Sequence, residues 1–263
     1  MCIRDSFTIL FVGVNNDEIP DLCLKEEYEK INTALETIFG MSSTDKPSLK
    51  QIPYAAWHEV LKEIMRYHPT VLHLGCHSQT HSGIRLFKNT VQPENMIEAI
   101  RACNTLSRKE GQSEIRIIVV NACDSDVHAE KLSQCVDFTI GHHAPVDDEK
   151  AIIFSETLYN CIFRGMPLRD SFTTARSASL SNGYVTFAKK DPRIFSFPRQ
   201  AGHQKQGVAG AASTDSQKVK FSHIRCANTC AHTKSMHTYS CTVRHTHIAV
   251  HSRDVSSSKS TPG

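Results

Sequence analysis

The stretch Ile115–Asn121, with the sequence IRIIVVN, decides the fold class because β-branched residues fill its centre. A short run that is apolar on both faces predicts a strand buried on both sides of a sheet. Three further stretches share this character and predict three more strands: Phe7–Val14 (FTILFVGV), Thr70–Gly75 (TVLHLG) and Val136–Gly141 (VDFTIG). Gly183–Ala188 is a candidate for a final strand of the folded part.

Helical patterns lie between these strands, with apolar residues that recur at three- and four-residue spacing. The predicted helices span Leu24–Phe39, Tyr54–Arg66, Pro93–Leu106, Asp126–Ser133, Ala151–Arg164 and Leu168–Leu180. Buried strands that alternate with such helices predict parallel pairing through crossover connections, which are right-handed almost without exception. The sequence therefore predicts an α/β protein, a three-layer α/β/α sandwich with a mostly parallel sheet.

The charge of the chain is unevenly distributed. The 263 residues carry 30 Lys and Arg against 27 Asp and Glu, but residues 200–263 hold 8 basic residues, 2 Asp, no Glu and no Leu. We therefore expect one folded domain over residues 7–199 and a disordered His/Ser/Thr-rich tail over residues 200–263, whose composition resembles out-of-frame translation. Residues 1–6 are expected to be a non-native leader. Because the basic excess belongs to the tail, the folded part predicts no specific nucleic-acid partner.

Several function classes lack their sequence signals. A run of about 18 apolar residues is missing, so no membrane span is predicted. Ten scattered cysteines without an export signal indicate reduced thiols and a cytoplasmic protein. The chain has neither Gly-x-Gly-x-x-Gly nor Gly-Lys-Ser/Thr, so it lacks the phosphate cradle of the common nucleotide-binding folds.

Two reactive side chains follow two of the predicted strands. His77 comes just after Thr70–Gly75, and Cys123 comes just after Ile115–Asn121. Since the carboxyl ends of neighbouring parallel strands meet at one sheet edge, these side chains are candidates for a nucleophilic thiol and its base. Backbone amides of the Gly75–Ser82 loop and of Cys123 are candidates for an oxyanion hole. The alternative is that Cys123 packs as a small apolar residue.

A metal site is the weaker alternative near the same strand. His73, Cys76, His77 and His81 lie within nine residues, but alternate strand residues point to opposite faces, so this set does not converge easily. The cysteines and histidines of residues 226–247 loosely imitate a zinc finger, yet their spacing does not match one. We therefore predict neither a metal ion nor an organic cofactor.

Four stretches, taken in order, resemble the CHAT family, caspase-like cysteine peptidases of clan CD. Phe7–Ile31 is similar to the family's first strand and acidic helix, and Val71–Ser78 (VLHLGCHS) to its histidine motif. Val119–Ser125 (VVNACDS) resembles the family's Asn-Ala-Cys-x-Ser motif, and Val136–Phe172 its following strand and helices. The resemblance implies a caspase-hemoglobinase-like fold and a cysteine endopeptidase that cuts a partner protein. It also implies tetratricopeptide-type repeats or partner domains outside this chain.

The resemblance also assigns roles to individual residues. Cys123 takes the place of the nucleophile and His77 that of the catalytic histidine, with the backbone amides of Ser78 and Cys123 as oxyanion donors. Asn121 stands where many clan CD peptidases carry an acidic substrate-binding residue, so it implies no preference for Arg or Lys.

Further residues bear on substrate binding and on activity. Asn121, Asp124 and Asp148 are candidates for the substrate pocket, with solvent-exposed loop carboxylates as the alternative for the two acids. Cys76 and Ser78 replace two usual glycines of the histidine motif. This departure keeps a second hypothesis open, in which the domain is a catalytically inactive protein-interaction module.

Overall fold

The computed structural model describes residues 7–15, 22–40, 46–79 and 82–188. These residues form nine strands and six helices. The strands are β1 (Thr8–Gly13), β2 (Ser48–Pro53), β3 (Val71–Gly75), β4 (His77–Gln79), β5 (Gly83–Leu86), β6 (Asn89–Val91), β7 (Ile117–Asn121), β8 (Phe138–His142) and β9 (Tyr184–Ala188). The helices are α1 (Leu24–Phe39), α2 (Trp57–Tyr67), α3 (Pro93–Lys109), α4 (Asp126–Leu132), α5 (Asp148–Phe163) and α6 (Leu168–Ala178).

A six-stranded sheet with the order β2-β1-β3-β7-β8-β9 forms the centre of the described domain. Neighbouring strands pair in parallel, except that β9 runs antiparallel to β8. The order places β3 beside β7, and α3 is the crossover between them. The predicted mostly parallel sheet is confirmed.

Helices cover both faces of this sheet and produce two apolar cores. Leu72, Leu74, Ile118 and Val120 pack against buried residues of α2 and α3 on one face. On the other face, residues such as Val119 pack against α1, α5 and α6. Because successive residues of a strand point to opposite faces, the alternating apolar residues of β3 and β7 contribute to both cores. The predicted three-layer α/β/α sandwich is confirmed.

The sheet has an edge strand that the sequence analysis did not predict. Strand β2 pairs in parallel with β1, but its residues are half-buried or exposed, which fits a strand at the edge of the sheet. Its sequence SLKQIP therefore lacks the continuous apolar run that marks a strand buried on both faces.

A second, three-stranded antiparallel sheet lies between β3 and α3 in the chain. It has the order β4-β5-β6, and its strands are three or four residues long. Strands this short carry almost no periodic signal, so the sequence predicted only a loop over Gly75–Ser82. The difference matters because His77 begins β4, pairing with Arg85 of β5, and is therefore not a loop residue.

Two helix boundaries differ from the predicted ones for local reasons. Helix α2 begins at Trp57 rather than Tyr54, because Tyr54 has a positive φ of 53° and Ala56 is extended. The Glu59 carboxylate accepts the Ala56 N–H at 2.8 Å, which satisfies a free donor at the helix start. Helix α5 begins at Asp148, since the Asp147 side chain caps it by accepting the N–H groups of residues 149 and 150.

Other predictions fall outside the described residues. The expected leader at residues 1–6, the expected tail at residues 200–263 and His81 belong to this group, and these predictions stay predictions. Among the described helices, none is both long enough and apolar enough to cross a membrane.

Because β3 is buried on both faces, we expect truncation of one of its apolar side chains to destabilise the protein. Leu72 is fully buried in the core of the α2 and α3 face. Leu72→Ala removes buried methyl groups and leaves a cavity, so we expect the free energy of unfolding to fall by about 2–5 kcal/mol. The control is Leu180→Ala, because 83% of that side chain is exposed. Urea denaturation of both variants checks the prediction, and equal losses would contradict the buried placement of β3.

Candidate active site

The pairing of β3 with β7 brings the two candidate catalytic side chains to one end of the sheet. Gly75 at the end of β3 is in register with Asn121 at the end of β7. His77 and Cys123 each follow two residues later, and both line the same pocket. The lining residues are Leu22, Cys23, Leu24, Glu27, Cys76, His77, Asn121, Ala122, Cys123, Val146, Asp148, Ala151 and Ile152.

The His77 ring is free to take part in chemistry at this pocket. Its Nε2 atom is buried and has no hydrogen-bond partner among the residues that the structure describes. A buried polar atom without a partner is costly, and such atoms are found where a ligand or a reaction uses them. One nitrogen of the imidazole is therefore not engaged by another described residue.

The Cys123 thiol is half-buried and lies against the loop that precedes α5. The Val146 N–H donates a hydrogen bond to Sγ at 3.4 Å, and the Val146 carbonyl oxygen lies 3.9 Å from the same sulfur. The Val146 backbone thus contacts the sulfur through both its N–H and its carbonyl group. Half-burial leaves the sulfur accessible from the pocket.

The backbone around Cys123 is held from two sides, by the chain segments that follow β3 and β8. On one side, the Ser78 hydroxyl donates a hydrogen bond to the Cys123 carbonyl oxygen. On the other side, the Asp124 N–H donates to the Ala144 carbonyl at 3.1 Å, and Asp124 has a positive φ of 47°. This left-handed backbone conformation, which Asp tolerates better than most residues, turns the chain sharply after β7.

Ser125 completes the turn by joining it to β7 and β8. Its hydroxyl donates to the carbonyls of Val120 and Ala122, at 2.9 and 2.7 Å, and accepts the His142 N–H at 2.9 Å. Ser125 is fully buried, so these bonds are shielded from water. The turn thus holds the Cys123 backbone in a fixed position at the sheet edge.

The three candidate pocket residues have different positions. Asn121 and Asp148 line the pocket, whereas Asp124 is not among the described residues that line it. The Asp148 carboxylate accepts the Cys23 N–H at 3.2 Å, which bridges the start of α5 to the start of α1. Asn121 is 5% exposed, and its carboxamide is hydrogen-bonded to the buried side chains of Glu27 and Tyr184.

The residues considered for a metal site do not form one in the described part of the chain. That part contains no group of three His, Cys, Asp or Glu residues placed to hold a metal ion, and His81 lies outside it. His73 is fully buried and its Nδ1 shares a 3.0 Å hydrogen bond with the Tyr159 hydroxyl. Burial, reinforced by the Glu27 carboxylate, raises the pKa of the Cys76 thiol to about 12.

Two histidines lie at the end of β8, the other neighbour of β7: His142 is the last residue of that strand and His143 follows it. His142 is buried, and its ring nitrogens contact the Ala144 carbonyl and the Ser181 hydroxyl, each at 2.8 Å. Burial lowers the pKa of His142, which favours its neutral form. His143 is exposed and pairs with Asp126 at 2.8 Å. Neither histidine is among the described residues that line the pocket.

Buried polar residues at the pocket, above all Glu27, were not predictable as site residues from the motifs alone. Leu24, Glu27 and Ile31 lie at the spacing of one helix face, and all three are buried. A charged residue at a core-facing helical position was the available signal. Its partners were not predictable, because they lie about a hundred residues away in the chain.

Searches against known proteins found proteases among the relatives, although no family model matches the chain. A protein from Gillisia limnaea named "Probable protease" is 26% identical over 160 residues, which cover 60% of this chain and 27% of that protein. A "Roc-COR-CHAT protease" from an unknown prokaryotic organism is 22% identical over 161 residues, covering 58% of this chain and 14% of that protein. The chain thus spans about a quarter or less of these relatives.

A solved structure is similar at lower identity. Caspase-1 from Spodoptera frugiperda is 11% identical, with a TM-score of 0.46, over 70% of this chain and 88% of that one.

The different environments of the cysteines predict different rates of alkylation. Burial raises the pKa of the Cys76 thiol to about 12, so little of it is ionised at pH 8, and the side chain is shielded from reagents. Cys23 is exposed. We expect iodoacetamide to modify Cys23 in the folded protein and Cys76 only after denaturation, as measured by peptide mass spectrometry. Equal modification of both in the folded protein would contradict the placement of Cys76.

Proposed function

We propose that the chain contains a caspase-like cysteine endopeptidase domain in which Cys123 is the nucleophile and His77 the general base. The observation that carries the proposal is the shared pocket, where the available Nε2 of His77 and the half-buried Cys123 thiol follow paired strand ends. A thiol and an imidazole at one site are the groups that acyl transfer through a thioester requires. The protease names of two relatives support the same class of reaction.

The proposed reaction has two covalent steps. In the first, His77 takes the thiol proton, the Cys123 sulfur attacks the peptide carbonyl carbon, and the carbon–nitrogen bond breaks as His77 protonates the leaving amine. In the second, His77 takes a proton from water, the resulting hydroxide attacks the thioester carbon, and the carbon–sulfur bond breaks to return the thiol. Backbone amides of Ser78 and Cys123 are the proposed donors to the oxyanion in both steps. This chemistry needs no metal or organic cofactor.

The proposed substrate is a peptide segment of a partner protein. Asp148 is the proposed polar contact at the pocket, and Asp124 is retained as a proposed contact at the rim. Because the chain spans only part of its relatives, partner domains such as tetratricopeptide-type repeats are proposed to lie outside it. A cytoplasmic location, in which the thiol stays reduced, suits the proposed chemistry.

The second candidate is a catalytically inactive protein-interaction domain with the same fold. It is favoured by the side chains of Cys76 and Ser78 at positions where the family's histidine motif usually has glycine. The Ser78 hydroxyl already contacts the Cys123 carbonyl, and Cys76 occupies part of the pocket wall. This candidate predicts a bound partner without cleavage.

Labelling with an electrophilic peptide probe separates the two candidates. We expect a peptidyl acyloxymethyl ketone library to modify Cys123 in the wild-type protein and to leave Cys123→Ala unmodified. We expect His77→Ala to slow labelling about 10²-fold or more, the usual contribution of a general base.

The matched control for this experiment is Cys135→Ser, which removes another half-buried thiol that is not part of the pocket lining. Its labelling rate should equal that of the wild-type protein. Equal labelling of wild type and His77→Ala would contradict the peptidase proposal and favour the interaction domain.

A further inference from the structure

We infer that Glu27 is a positioning residue of the proposed active site, where its buried carboxylate fixes β7 and β3, the strands that precede Cys123 and His77. The inference rests on the proposed function, because it assigns Glu27 a role in aligning those two side chains. Glu27 lies in the first turn of α1, is 3% exposed and lines the pocket.

The first link runs from Glu27 to β7. The Asn121 Nδ2 donates a hydrogen bond to Glu27 Oε1 at 2.6 Å, and the Ser155 hydroxyl donates to the same oxygen at 2.5 Å. Asn121 and Ser155 are both buried. A buried carboxylate that lost these donors would be left without compensation, so the bonds hold Asn121 in one orientation. Asn121 lies two residues before Cys123.

The other end of the Asn121 side chain is also occupied. The Tyr184 hydroxyl, from β9, donates to Asn121 Oδ1 at 2.8 Å. Burial and the Glu27 carboxylate raise the pKa of Tyr184 well above its usual range, so this hydroxyl keeps its proton. With both ends of its carboxamide bonded, Asn121 has the surroundings of a positioning residue and not of a substrate ligand.

The second link runs from Glu27 to β3. The His73 Nε2 lies 3.0 Å from Glu27 Oε1, an ion-pair distance without hydrogen-bond alignment. The ring of His73 is fixed on its other sides, because Nδ1 bonds to the Tyr159 hydroxyl and its face stacks on Phe11 with centroids 4.8 Å apart. His73 lies four residues before His77 on the same segment.

A glycine at the end of β3 lets α1 approach this closely. A Cβ atom added to Gly75 would lie 2.6 Å from Leu24 Cδ2 and 3.3 Å from Glu27 Oε2. Helix α1 therefore packs directly against the carboxyl end of β3, two residues before His77. Glu27 thus contacts both β7 and β3 within four residues of the proposed catalytic residues that follow them.

A double-mutant cycle tests this inference through the alkylation rate of Cys123. The rate with iodoacetamide is measured by peptide mass spectrometry for the wild-type protein, His77→Ala, Glu27→Gln and the double variant. We expect His77→Ala to slow alkylation at least about tenfold in the wild-type background, because the imidazole promotes the thiolate. In the Glu27→Gln background, the same change should slow it less than about threefold, since coupled residues are not additive.

The matched control is Glu29→Gln on the same helix, an exposed residue paired with Lys25. In that background His77→Ala should keep its full effect. If His77→Ala has the same effect with Glu27→Gln as in the wild type, the positioning inference is overturned while the dyad stands. If His77→Ala has no effect in the wild-type background, both the dyad and this inference are overturned.

A swapped pair distinguishes positioning from a loss of folding. In Glu27→Gln/Asn121→Asp, the new amide at position 27 donates to the new carboxylate at position 121, which restores one donor and one acceptor. In this swapped background, we expect His77→Ala to slow Cys123 alkylation by a factor within about threefold of the factor in the wild-type background, because the coupling between the residues is restored. Urea denaturation confirms that each variant is folded at the assay condition. A folded swapped pair in which the coupling does not return would overturn the inference.

Discussion

The parallel pairing of β3 with β7, in register through Gly75 and Asn121, is the constraint on which the site depends. Both strands are fully buried, so their register is set by two apolar cores at once, and a slip by one residue would turn each strand's apolar side chains to the wrong face. That register brings the residues after the two strands to the same level. A sharp turn after β7 and the short strand β4 after β3 then direct Cys123 and His77 to one pocket.

Between the strands and helices that form the site lies a polar cluster centred on Glu27. Its other members are His73, Asn121, Ser155 and Tyr184. Hydrogen bonds to a charged group are worth about 1.5–3 kcal/mol each, but an unpartnered buried charge costs at least as much. The cluster therefore contributes little to net stability. It contributes more to fixing the positions of the elements that carry its residues, because every partner must be in place for the buried carboxylate to be tolerated. Proteins tend to break the rule of an apolar core at functional sites, and this cluster lies directly under the candidate site.

Sequence patterns predicted the elements whose signals are local. The buried strands β1, β3 and β7 are short apolar runs, and α1 shows a helical period with Gly40 after its end. The residue pair His77 and Cys123 was predictable as a candidate because each follows such a strand. Strand β2 was not, because it lies at the sheet edge and is only half-buried. The strands of the small sheet are too short to show a period.

The polar cluster was beyond sequence reasoning for a different physical reason. Its bonds join residues that are 94 and 128 positions apart in the chain, so no local spacing encodes them. Only the pairing of five separate elements brings these side chains together. Asn121 shows the consequence: the sequence made it a candidate pocket residue, but could not predict the bonds of its carboxamide to Glu27 and Tyr184.

The central claim is that positions 77 and 123 lie side by side at the pocket, and an engineered disulfide measures this directly. A disulfide forms only when the two Cα atoms are within about 7 Å and the side chains face each other. We expect the His77→Cys variant, treated with diamide and mapped by mass spectrometry, to form a disulfide between positions 77 and 123 that dithiothreitol reverses. Free thiols at both positions in the folded, oxidant-treated variant would contradict the account.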